Sequence, residues 1–114
     1  MIHEMKLKPD YFEFINNGTK RIEIRLNDEK RRLIKIGDII EFKKEPELKK
    51  IFRARVVGLL RYGSFNDMFK DFDISILADE SMTKQELINA LEKIYTREKQ
   101  EMYGVLGIRI ELIW

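Results

Sequence analysis

Cysteine is absent from the 114 residues. That removes disulfides, thiolate-bound zinc and thiol nucleophiles together. One histidine, His3, stands near the start, too little material for a Ser-His-Asp triad or a histidine-rich metal site. His3 is assigned no role, and neither a metal nor a cofactor is expected. No apolar run approaches the roughly 18–20 residues that crossing a bilayer requires. The opening MIHEMKLKPD lacks the apolar core of a signal peptide, so the expectation is a cytoplasmic protein without membrane attachment. Internal repeats, low-complexity tracts and long linkers are missing as well.

What is present suits one domain over residues 1–114. Hydrophobic residues make up 44% of the chain, enough to bury a core. The net charge is only +2, but it is segregated. Residues 19–35 carry seven Lys and Arg against three Asp and Glu, and residues 43–55 carry six against two. Residues 67–86 reverse this, with six acidic side chains against two basic. Such a distribution permits a basic face suited to phosphates, although charge runs are commonly solvated surface.

Period-two alternation predicts a first strand in HEMKLK and a second in RIEIRL, where Ile22, Ile24 and Leu26 share the buried face. Between them Pro9 starts a short helix and Asn17-Gly18 ends it. NDEKRRLI reads as a helical turn capped by Asn27 or Asp28. Gly37-Asp38 turns the chain into the strand IIEF, and Pro46 marks a connector. IFRARVVGLLRYGSF is the longest β-rich run, with Gly58 and Gly63 allowing a bulge or bend. Ser64 caps a short helix. Thr83 and Glu86 form a capping box for the clearest helix, whose Leu87, Leu91, Ile94 and Tyr95 face inward. VLGIRIELIW is the last strand, with Trp114 as an edge packing group. The predicted fold is α+β: a small barrel of about five to six strands, a helix after the first and a helical insertion before the last. A split sheet with two helices on one face fits the periodicity equally well.

The run NNGTKRIEIRLNDEKRR poses the functional question. Arg21, Glu23 and Arg25 share one strand face, which is either a solvated ion network or the floor of a cleft. Lys20 precedes the regular strand, so the Gly18 turn sets its direction.

The spacing Gly18-x-Lys20-x-x-Glu23-x-Arg25, followed by Lys35-x-Gly37-Asp38, VVGLLRYGSF, SMTKQEL and YGVLGIRIEL, resembles the ASCH domain of the PUA-like superfamily of small β-barrels. The resemblance spans essentially the whole chain and favours the barrel over the split sheet. It implies a cleft beside the barrel that binds RNA, a nucleoside or a nucleotide through Lys20, Glu23 and Arg25. Arg25 offers a planar fork of donors and Lys20 a mobile cation. Glu23 can accept from an exocyclic amine such as cytosine's. Arg61, Tyr62, Ser64 and Tyr103 are expected at the rim, Tyr62 stacking on a base and Tyr103 opening the final strand. Some small ASCH proteins that this chain looks like hydrolyse N4-acylated cytidine. Carried over, that activity would use Lys20, Glu23 and Glu80. Glu23, however, stands where those enzymes have a threonine, which leaves it the role of general base on water. A third reading makes Glu23 and Glu80 ligands of a divalent ion.

Overall fold

The computed structural model describes residues 1–113; Trp114 and its expected packing lie outside the described residues. Five strands form one mixed sheet: β1 (Ile2–Leu7), β2 (Ile22–Leu26), β3 (Ile39–Lys44), β4 (Ile51–Tyr62) and β5 (Val105–Ile113). Their order is β1-β3-β4-β5-β2, with β1 parallel to β3 and every other pair antiparallel. The sheet curls into a half-barrel, so the architecture is α+β as expected, with five strands. Helix α1 (Pro9–Asn16) follows β1, while α2 (Phe65–Asp71), α3 (Ile74–Leu77), α4 (Lys84–Glu92) and α5 (Arg97–Tyr103) precede β5. Tyr103 therefore ends a helix instead of opening the last strand; Gly104, at φ 75°, makes the turn between them.

The local signals explain most of these boundaries. Pro9 occupies the first turn of α1, and Gly18 beyond its end takes φ 85°, a conformation costly to any other residue. Ser64 caps α2 by accepting from the Asp67 amide, and Thr83 with Glu86 completes the reciprocal box on α4. Asp28 accepts from the Arg31 amide and starts a 3-10 turn at Arg31–Leu33. No helix among the described residues is long and apolar enough to cross a membrane.

A bulge decides how the layers are arranged. Val56 pairs with Ile110 but Gly58 pairs with Arg109, leaving Val57 as the extra residue. Before the bulge the outer side of β4, with Arg53, Arg55 and Val57, is exposed. After it the same side, with Leu60 and Tyr62, packs under the helices. The domain thus has two apolar clusters. One fills the barrel, built on residues such as Phe12, Ile40, Phe42, Val56 and Ile108. The other lies between the sheet and helices α2–α4, built on Ile22, Ile24, Leu26, Met68 and Leu87.

Strand β2 lies between the two clusters. Ile22, Ile24 and Leu26 face the helices, while Glu23 pairs with Ile108 and Arg25 with Leu106, both residues of the barrel interior. Cross-strand partners share a face, so the charged side of β2 points into the barrel. The expectation of one buried face is therefore corrected: both faces of β2 are covered. Only Arg21, before the strand, is exposed.

Candidate functional site

Strands β1 and β2 are the two edges of the half-barrel. The seam between them opens into a cavity of about 270 Å³. Lys20, Glu23 and Arg25 line it together with Tyr11 of α1, Leu87 and Leu91 of α4, and Tyr95 beyond α4.

Lys20 and Glu23 are 3% and 4% exposed, so neither belongs to a solvated ion network. The Gly18 turn directs Lys20 inward, its amide held by the Phe14 carbonyl at 2.9 Å. Its ammonium donates to the carbonyls of Ile22 and Leu77, each at 2.6 Å, and so ties β2 to the end of α3. It also lies 5.9 Å from the centre of the Tyr11 ring. Burial pushes the Lys20 pKa down, with Glu23 opposing the shift. Glu23 Oε2 accepts a hydrogen bond from Arg25 Nε at 2.9 Å, and Nη2 of the same guanidinium lies 2.8 Å from that oxygen as an ion pair. Arg25 Nη2 also donates to the Lys6 carbonyl at 3.0 Å, and this bond staples edge strand β2 to edge strand β1. Burial alone would lower the Arg25 pKa; Glu23, then Tyr95, outweigh it and hold the guanidinium above its ordinary value. Burial raises the Tyr11 phenol, with Asp10 and Glu23 adding to the effect.

Donors and acceptors in the seam are unevenly used. The two cations spend donors on backbone carbonyls and on Glu23 Oε2. Glu23 Oε1 sits 3.6 Å from the Lys20 nitrogen, beyond hydrogen-bonding distance. The cavity therefore presents a carboxylate oxygen at its floor, aliphatic side chains on its walls, and two tyrosines. Lys6, Lys8 and Glu45 complete the lining.

The structure brings together Lys20, Glu23 and Arg25, but the remaining residues singled out from the sequence do not line this cavity. Glu80 is exposed, as is Arg61. Tyr62 packs on the helical cluster and donates its hydroxyl to Asp71 at 2.6 Å. Ser64 is the α2 cap, and Tyr103 packs on the helical cluster. Conversely, Leu87, Leu91, Ile94 and Tyr95 carry the spacing of inward-facing helix residues and Tyr11 lies on the apolar side of the short helix begun by Pro9, whereas no pattern marks Lys6, Lys8 or Glu45. Among the described residues no group of three or more His, Asp or Glu side chains is placed to hold a metal ion.

The ASCH domain family matches residues 5–113. The crystallised hypothetical protein PH0355 is 38% identical, with 99% of this chain and 100% of that one aligned at a TM-score of 0.87. PF0455 from Pyrococcus furiosus, solved by NMR, is 35% identical over 99% of this chain and 98% of its own, with a TM-score of 0.79. The ASCH domain from Lactobacillus crispatus shares the fold at 15% identity, with 97% and 79% coverage and a TM-score of 0.69. No curated protein matches the chain. The match over nearly the full length and the shared half-barrel agree: this chain belongs to the ASCH domain family.

Proposed function

We propose that the seam pocket binds the base of an RNA, nucleotide or nucleoside, with Glu23 accepting from an exocyclic amine. The observation that carries this reading is Glu23 Oε1, which pairs with the Lys20 ammonium only at 3.6 Å, beyond hydrogen-bonding distance, in a residue that lines a cavity with aliphatic and aromatic walls. A planar heterocycle matches such walls. An acceptor whose nearest donor is too far for a hydrogen bond rewards a ligand that supplies a closer one. The basic contacts differ from those expected of the motif. Lys20 and Arg25 hold Glu23 and the backbone, and the lysines available to a phosphate are Lys6 and Lys8 along the pocket lining.

Binding is favoured over hydrolysis of an acylated cytidine. Glu80 lies outside the pocket lining, the Lys20 nitrogen is engaged by two carbonyls, and Glu23 holds Arg25 through one of its two oxygens.

Calorimetric titration with cytidine, adenosine, guanosine and uridine tests the reading. A site built around an acceptor should bind at least one amine-bearing nucleoside tenfold or more tighter than uridine, since an unmet buried hydrogen bond costs about 1–3 kcal/mol. Equal affinity for uridine, or no binding of any nucleoside, would sink it.

A further inference from the structure

The pocket does not end at its mouth. A second cavity of about 440 Å³ adjoins it, and Lys8, Tyr11, Leu91 and Ile94 line both. Beyond these shared residues the groove runs between Pro9 and Asp10 of α1 on one side and Met82 and Ala90 on the other. Its surface is mainly apolar, and Ile94 is 49% exposed within it. Sites for small ligands commonly occupy about 300–1,000 Å³. The pocket alone falls below that range, whereas pocket and groove together reach it.

The geometry points to a two-base site: the groove holds the neighbouring base of a single-stranded nucleic acid whose first base sits over Glu23, with Lys8 at the linking phosphate. This inference rests on the base-binding reading of the pocket. Three observations carry it beyond that reading. The groove is continuous with the pocket, so one ligand can reach both. Tyr11 offers an aromatic ring of the kind on which bases stack irrespective of sequence, and the exposed aliphatic side chains beside it can pack against a base. Lys8, which borders both cavities, has no ion-pair partner among the described residues, and neither has Lys6. A purely apolar substituent on the base would gain nothing from a cation at that junction. Asp10 along the groove and Glu45 along the pocket limit the phosphate contacts. The site therefore reads one dinucleotide step and does not track a long backbone.

The test compares cytidine and adenosine with the ribodinucleotides CpA and ApC, a hexanucleotide, and an N4-butylated cytidine. At least one dinucleotide should bind about tenfold tighter than its better nucleoside. The hexanucleotide should add little beyond the number of registers it offers. The logarithm of the association constant should fall with the logarithm of salt at a slope of about −0.7, the value for one phosphate. Ala90 lines the groove but not the pocket, and it sits half-buried in α4. Ala90→Glu should abolish the dinucleotide gain and leave nucleoside affinity unchanged; Ala90→Gln should remove most of it by bulk alone. Dinucleotides no tighter than nucleosides would overturn the two-base site while the base pocket stands. A butylated cytidine binding tighter than either dinucleotide would give the groove to an apolar substituent instead. Absence of binding by every nucleoside and dinucleotide would overturn both readings.

Discussion

Strands β2 and β4 look alike on paper, each alternating charged and apolar residues, yet their charged faces have opposite fates. On β4, Arg53 and Arg55 point outward; Arg53 pairs with Glu41 at 3.0 Å on the open outer side of the sheet, where Lys43 also meets Glu4 and Glu41. On β2, Glu23 and Arg25 point into the barrel seam, because the opposite face of the strand is taken by the helices. Alternation fixes which residues share a face but not which face meets water. That depends on how many layers pack against the strand. The same ion pair is consequently a different object in the two places. On the outer sheet it is solvated and contributes little. In the seam it is desolvated, and losing one member strands the others.

The comparison can be broken most sharply at Glu23. Glu23→Gln leaves two buried cations facing a neutral amide and should cost about 3–5 kcal/mol in denaturant unfolding. The same change on the outer sheet, Glu41→Gln, should cost no more than about 1 kcal/mol. Equal losses would show that the two environments do not differ as their burial implies.

A third acidic residue lies between these extremes. Asp38 accepts from His3 Nε2 at 2.8 Å and from the Lys35 amide at 3.0 Å. The His3 contact, followed by the Lys35 amide, lowers its pKa from 3.8 to about 2. Because the folded value lies below the unfolded one, the stability it supplies is present above about pH 4. That stability is lost as pH falls from there through about 2. Unfolding profiles across this window should be flatter in Asp38→Asn than in the unchanged protein. Identical slopes would remove Asp38 from the acid response.

Much of the fold could be read in advance because its signals are local. The Thr83–Glu86 capping box, the Asn17-Gly18 stop, the Gly37 turn and the strand alternation each act within a few residues. The bulge was marked by Gly58, where a Cβ would come within 3.2 Å of the Arg109 side chain. The site was legible only where a compact motif carried it, at Lys20, Glu23 and Arg25. The rest assembles from the end of β1, the start of α1 and the segment around α4, which are far apart in sequence. Leu87, Leu91 and Tyr95 showed the spacing of inward-facing residues, but periodicity cannot tell a filled interior from a cavity wall. Tyr62 looked like a rim residue because it follows a long strand; the register shift at Val57 turns its side of the strand beneath the helices.

The bond from Arg25 to the Lys6 carbonyl has a consequence for the company this domain keeps. A half-barrel has two free strand edges, and a free edge is a template on which another chain's strand can build. Here the edges face each other across the seam, and one is engaged by a guanidinium anchored on Glu23. The charges that line the pocket also occupy part of that edge, so on the proposed reading a change at Glu23 or Arg25 would alter both the pocket and the strand edge beside it.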